Sequence, residues 1–306
     1  CDWSSDVCSS DLMGCRSFLS PWKDENGNYK FDGRFNMGVV SLNLPQIGIL
    51  ADGDEEKFFQ ILHKRLELCK KALLLRVELL KKITSDVSPI HWQYGAISRL
   101  KPGESIEKFM YGGYATLSLG YIGMYEATLL TKGVSHTTPE GKRFAHRIMD
   151  DLNEHIKKWR EETNIGFALY GTPAESLTHR FCQKDRSRFG NIKDVTDKGY
   201  YTNSYHVDVR EPINVFDKFA FESEFEDKST GGCISYAEIP NMTHNVPAIL
   251  TMIEYIYDHI SYGEFNTKLD YCHECGFDGE IVLNKNNEWE CPRCHNRSEE
   301  RRVGKE

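Results

Sequence analysis

The sequence contains no run of 18 apolar residues, no internal repeat and no low-complexity linker. The first absence argues against a membrane-crossing helix, which needs about 20 apolar residues to span the hydrocarbon layer. No basic stretch followed by an apolar one marks a secretory leader. Positive charge is also in short supply: 38 Lys and Arg against 46 Asp and Glu leave a net charge of −8. A surface of that sign repels phosphate backbones, so no nucleic-acid partner is expected. The chain has 306 residues, 40% hydrophobic and 27% charged, the composition of a globular enzyme with one large domain or two ordinary ones. Of its ten cysteines, four form two CxxC pairs and the others are scattered. That pattern fits a reducing cytoplasm rather than a disulfide framework.

The two ends stand apart. Residues 1–12 and 297–306 carry neither an apolar period nor a capping pattern, and both are similar to translated sequencing-library adapter. They are expected to be non-native tails, with Cys1 and Cys8 outside any functional argument. The natural segment is then Met13–Asn296, expected to be cut from a longer protein at both ends.

Between the ends, strands and helices alternate. Gly38–Leu44 alternates as a strand closed by Pro45. Phe58, Phe59, Leu62, Leu66, Leu73, Val77 and Leu80 recur at helical spacing over residues 54–83, with Asp52 or Asp54 as the cap. Cys69 shares that apolar stripe and is expected in the core. Tyr114–Tyr121 reads as a buried strand or tight turn and Ile122–Leu130 as a helix, followed by a helix over Pro139–Glu162. Ile165–Tyr170 is a short strand, and a helix follows from Leu177 to Gln183. Residues 200–240 offer several short strand candidates, and Pro247–Tyr262 an apolar helix. The alternation points to an α/β domain with a largely parallel sheet or barrel.

Three places carry chemistry. Cys272-His-Glu-Cys275, fifteen intervening residues and Cys291-Pro-Arg-Cys294 have the spacing of a zinc ribbon. Two such turns complete a tetrahedron of thiolates and leave no open position, so the zinc is expected to be structural. His273 and His295 are spare imidazoles beside it. Second, a helix starting near Pro173 or Ala174 would aim backbone N–H groups at the loop that precedes it. With the hydroxyls of Thr172 and Ser176 that is an anion site, although an ordinary capped helix reads the same way. Third, Cys15 lies between Gly14 and Arg16, where a cation favours the thiolate.

Met13-Gly-Cys-Arg-Ser-Phe-Leu19, Gly33-Arg-Phe-Asn-Met-Gly-Val-Val-Ser-Leu-Asn-Leu-Pro45, Leu117-Ser-Leu-Gly-Tyr-Ile-Gly123, Tyr170-Gly-Thr-Pro-Ala-Glu-Ser-Leu177 and the four-cysteine ribbon occur in that order. Together they resemble the catalytic subunit of the anaerobic (class III, glycyl-radical) ribonucleoside-triphosphate reductases, over essentially all of Met13–Asn296. The resemblance implies part of a ten-stranded α/β barrel over residues 13–265, with a finger loop at its centre and the zinc ribbon over 266–296. It implies that Cys15 becomes a thiyl radical that takes the ribose 3′ hydrogen, after which the 2′ hydroxyl leaves as water. Asn36 would hydrogen-bond the ribose or the reductant, and Thr172, Ala174, Glu175 and Ser176 would lie at the substrate phosphates. It also implies a ribonucleoside triphosphate substrate, formate as reductant, a radical-SAM activating enzyme and a homodimer. The sequence is expected to depart from the family pattern at both ends: the N-terminal nucleotide-binding cone and the first part of the barrel are absent, and so is the radical glycine. The radical-bearing glycine follows the ribbon in the family, whereas the match here stops near Asn296, and Gly304 belongs to the tail. An inactive, poorly soluble fragment is therefore expected. Two other readings stay open. One is a glycyl-radical enzyme related to pyruvate formate-lyase, which carries two adjacent cysteines where this chain has Cys15 alone. The other is a non-catalytic zinc-ribbon binding module on an α/β scaffold.

Overall fold

A computed structural model describes residues 17–297 apart from 173, 241, 243, 244, 268, 269, 280 and 287, and only the backbone of 175, 267, 278 and 283. The expectations for residues 1–12, for Cys15 and for residues beyond 297 lie outside the described residues. The chain divides into two compact units, 1–234 with 259–262, and 235–258 with 263–306.

The first unit is built on three parallel strands, β1 (Phe35–Asn43), β2 (Ala115–Ile122) and β3 (Gly166–Tyr170), adjacent in that order. Helices fill the crossovers: α1 (Leu44–Ala51), α2 (Glu55–Leu80) and α3 (Pro89–Trp92) before β2, then α4 (Met124–Lys132) and α5 (Pro139–Thr163) before β3. Each long helix starts on a side-chain cap. Asp54 accepts from the Lys57 N–H at 3.0 Å, and Thr138 from the Gly141 N–H at 3.2 Å, ahead of Pro139. The apolar stripes expected on both helices are the ones buried. Phe58 meets Phe144 edge-on at 5.3 Å, and Trp159 meets Phe167 of β3 at 5.5 Å. Cys69 is buried in the same core, and burial pushes its thiol up to about 11.

Two stretches fold differently from their sequence reading. Pro45 begins a helix as well as ending the strand. Asn43 caps α1 through the Gln46 N–H at 3.2 Å, and proline at a first helical turn lacks only an N–H that would have had no partner. In 200–240 the described residues hold one strand, β4 (Ser235–Ile239), and a helix, α7 (Val215–Glu226), after α6 (Glu175–Phe189). The period of α7 is masked because Glu222 and Glu226 are buried in its apolar stripe beside Phe219, Phe221 and Phe225. Both glutamates are satisfied, Glu222 by the Val207 N–H at 3.1 Å and Glu226 by the Ser261 N–H at 2.8 Å.

The second unit pairs β4 in parallel with β5 (Gly263–Thr267) across α8 (Val246–His259). Two short antiparallel pairs follow, β6 (Asp270–Tyr271) with β7 (Asp278–Gly279) and β8 (Val282–Leu283) with β9 (Trp289–Glu290).

Candidate active-site face and metal centre

The three-stranded sheet has two unlike faces. Leu117, Leu119 and Tyr121 of β2, with Phe167 and Leu169 of β3, turn into the apolar core. The alternate residues, Thr116, Ser118 and Gly120 in register with Gly166, Ala168 and Tyr170, are buried too, and all but Tyr170 are small. A β-bulge between Asn36 and Gly38 shifts the register of β1, so Asn36, Val39 and Ser41 pair with Thr116, Ser118 and Gly120. The bulge requires glycine. Gly38 has φ of +124°, and a Cβ there would lie 2.1 Å from the Arg76 guanidinium.

The bulge aims Asn36 onto the polar face. Its Oδ1 accepts from the Gly38 N–H at 2.6 Å, and its Nδ2 donates to Ser118 Oγ and Ser17 Oγ, both at 3.1 Å. Ser17 lies two positions after Cys15. The segment that follows runs over the same face: the Ser20 N–H donates to Thr116 Oγ1 at 3.2 Å and the Phe18 N–H to the Gly231 carbonyl at 2.9 Å. Gly231 in turn donates to the Leu169 carbonyl at 2.7 Å. Backbone can approach this closely only because both layers are stripped of side chain: a Cβ on Gly231 would lie 2.9 Å from the Ala168 Cβ.

Thr172 closes the carboxyl end of the face. Its hydroxyl lies 3.4 Å from Ser41 Oγ, and a Cβ on Gly120 would come within 2.0 Å of it. Ala174 is the cap residue of α6, with φ of +50° and no side-chain cap bond. A non-glycine residue in that region costs about 1–3 kcal/mol and marks a constrained turn. Thr172 and Ala174 are buried and Ser176 is exposed; the side chain of Glu175 and the whole of Pro173 fall outside the described residues. The helix start expected near Pro173 or Ala174 is therefore present at Glu175, with an uncapped first turn.

The side chain of Lys198 is buried between two carboxylates. Its Nζ donates to Glu126 Oε1 at 2.6 Å and to Asp208 Oδ2 at 2.5 Å. Burial alone would lower the Lys198 pKa, but the charge of Glu126 and the bonds to both carboxylates raise it. For Asp208, burial pulls upward and is overcome by hydrogen bonds from Arg210 and Lys198, which hold the carboxyl well below the ordinary range. The cluster fixes residues 202–204, whose carbonyls at Thr202 and Ser204 accept from the Gly123 and Met124 N–H groups at 2.9 and 3.0 Å.

In the ribbon, all four expected sulfurs converge, every Sγ within 4.8 Å of the others. Cys272 and Cys294 are 3.5 Å apart, and Cys275 and Cys291 3.7 Å. Four thiolates around zinc at about 2.3 Å would have S···S edges of about 3.8 Å, so the donor set fits that ion. The two knuckles repeat one another. Gly276 and His295, both in the left-handed region, donate to the carbonyls of Cys272 and Cys291 at 2.9 Å, and the two cysteine N–H groups donate to Phe277 and Asn296. The Cys272 thiol is held down to about 6, first by the Cys275 N–H. His295 points its ring to Glu290 at 2.5 Å and stays outside the sulfur cluster.

Sequence reasoning missed Ser17, Ser41, Ser118 and Gly231. The signal for Ser118 was present: Thr116, Ser118 and Gly120 alternate with large apolar residues on a strand buried along its whole length. The bulge that turns Asn36, and the seating of Gly231, depend on contacts distant in sequence.

The sequence model of the family described as anaerobic ribonucleoside-triphosphate reductase matches residues 2–304. The anaerobic ribonucleoside-triphosphate reductases of Salmonella typhimurium and Escherichia coli K12 are each 42% identical over 287 residues, covering 93% of this chain and 40% of their own length. The one from Enterobacteria phage T4 is 42% identical over 279 residues, covering 90% of this chain and 45% of its own. The chain thus spans less than half the length of these relatives. Among solved structures, the Thermotoga maritima anaerobic ribonucleotide reductase with dATP in its specificity site aligns at a TM-score of 0.61 and 25% identity, over 85% of this chain and 40% of that one. The same enzyme in complex with dATP and CTP aligns at 0.64 and 22% identity, over 92% and 43%.

Proposed function

We propose that this chain, which belongs to the anaerobic ribonucleoside-triphosphate reductase family, carries the face on which a ribonucleoside triphosphate is reduced to its 2′-deoxy form. The observation that supports this most is the placement of Asn36. A bulge and two serine hydroxyls hold its carboxamide on a buried, small-residue face beneath the segment that begins just after Cys15.

In this reading a thiyl radical on Cys15 takes the ribose 3′ hydrogen, becoming a thiol and leaving a carbon radical. The 2′ hydroxyl then takes up a proton and departs as water; formate, oxidised to carbon dioxide, supplies two electrons and its hydrogen, a hydrogen fills C2′, and the Cys15 thiol returns its hydrogen to C3′, which restores the thiyl radical. Asn36 hydrogen-bonds the ribose or the formate; its two serine partners fix the rotamer, so little ordering remains at the moment of reaction. Thr172, Ala174, Glu175 and Ser176 hold the phosphates at the uncapped start of α6, where N–H groups and the helix dipole favour an anion. Cys272, Cys275, Cys291 and Cys294 hold a structural zinc. The stable radical supplied by a glycine, installed by a radical-SAM partner, gives the oxidising equivalent. A homodimer and a cytoplasmic setting belong to the same proposal; no helix among the described residues is long and apolar enough to cross a membrane.

The test is anaerobic turnover by an activated subunit carrying this sequence. Asn36→Ala should lower kcat by at least about 100-fold, the scale of a lost positioning contact, with triphosphate binding changed far less. A kcat within about twofold of wild type would refute the role of Asn36.

A further inference from the structure

Along one side of the first unit, α2 and α5 lie side by side with charged residues facing across the seam. Glu55 of α2 meets Arg147, and Lys70 meets Glu162. Between these pairs the pattern changes. His63 of α2 and His155 of α5 both face Asp151 of α5, one carboxylate against two imidazoles.

The arrangement is that of a ligand set. One nitrogen of each ring and one Asp151 oxygen lie within 4.8 Å of one another. His63 Nε2 is 2.9 Å from Asp151 Oδ1, and His155 Nδ1 is 3.6 Å from Oδ2. His155 Nδ1 also donates to the Asp151 carbonyl at 2.9 Å, one turn back on the same helix, a bond that an ion on this nitrogen would replace. The rings are tilted by 42° with centroids 4.9 Å apart. Asp151 Oδ2 is buried and makes no hydrogen bond among the described residues. A buried carboxylate oxygen without a donor is costly. A cation bound to all three groups removes the deficit. Donor atoms around a divalent ion with bonds of about 2.0–2.2 Å lie about 3–3.4 Å apart, close to the two separations present.

We propose that His63, Asp151 and His155 form a second metal site, for a zinc-class divalent transition ion, which ties α2 to α5. Imidazole with one carboxylate selects such ions over calcium or magnesium, which take oxygen ligands. Three protein ligands leave positions for water, so this site exchanges its ion faster than the four-thiolate ribbon.

Cobalt(II) titration of the metal-free chain separates the two sites, because only the ribbon gives thiolate-to-metal charge-transfer absorption. Wild type should bind two equivalents, the second adding d–d bands without further charge transfer and raising the melting temperature. The double variant His63→Ala, His155→Ala should bind one equivalent with the charge-transfer band intact, which also reports that it is folded. Asp151→Asn should weaken the second equivalent by at least about tenfold. The double variant Cys291→Ser, Cys294→Ser should keep the d–d bands alone. A single equivalent in wild type, or a second equivalent that survives the histidine substitutions, would overturn the proposal.

Discussion

The sheet of the first unit and the ribbon of the second both position polar groups, by opposite means. Asn36 is held by a bulge, two serine hydroxyls and strands brought together across 82 residues, over a large apolar core. The ribbon's buried apolar cluster is Ile281 with Cys272 and Cys291, backed by Cys275 and Phe277. In the proposed reading its order rests on a metal held by the four sulfurs. The first unit has its own multidentate cation, Lys198, but that charge is covalently part of the chain and cannot be removed by a chelator. The contrast predicts one region whose shape depends on a metal and another whose shape depends on packing and buried charge.

Removing zinc should produce the largest effect. Structural zinc contributes about 10–16 kcal/mol of apparent binding free energy in small domains. Cys291→Ser should collapse the amide dispersion of residues 270–296 in an NMR spectrum and leave the first unit's signals in place. Loss of both together would erase the comparison. Next is Lys198→Met, which leaves Glu126 and Asp208 buried without their partner and should cost about 3–5 kcal/mol in urea unfolding of the first unit. Acid should act on the same cluster. Because the folded Asp208 pKa is depressed, its stabilisation is complete above the unfolded value near pH ~3.9 and is lost as pH falls toward the folded one. Unfolding free energy of the wild type should therefore decline below about pH 4, and less steeply in Lys198→Met.

Gly120→Ala comes third, at about 1–3 kcal/mol, because the added methyl would lie 2.0 Å from the Thr172 hydroxyl and 2.6 Å from that of Ser41. Thr172→Ala in the same chain should restore part of the loss, and thermal melts of the single and double variants measure it. No coupling between the two would contradict the placement of Thr172 over the strand end. Asn36→Ala is the smallest stability effect, about 1 kcal/mol for its hydrogen bonds, against a large loss of turnover.

What the sequence disclosed follows the same division. Ribbon ligands are local: two CxxC turns make the same knuckle wherever they occur, so spacing alone located all four sulfurs. The long helices were legible for a related reason, since the stripes of α2 and α5 are buried as their periods require and Asp54 and Thr138 cap them through bonds spanning three residues. α7 was not, because two buried glutamates interrupt its stripe; besides Lys218 one turn back, Glu222 is met by the Val207 N–H, and Glu226 by the Ser261 N–H, both far outside any local window. Asn36 was found through the resemblance rather than from its neighbours; that it faces Ser17 and Ser118 follows from a bulge created by one glycine and an arginine from another helix. Thr172 and Ala174 lie at the turn expected of them. The anion reading at Ser176 and Glu175 still rests on family likeness and on an uncapped helix start.

The central proposal is that the reaction starts at Cys15, while the buried thiols of Cys69, Cys182 and Cys233 serve the core. It is tested most directly by comparing Cys15→Ala with Cys69→Ala in the activated, zinc-replete enzyme, assaying deoxyribonucleoside triphosphate formation without oxygen. Cys15→Ala should give no product above background, and Cys69→Ala, which empties only a small space in the core, should retain a turnover close to wild type. Product formation by Cys15→Ala would contradict the account.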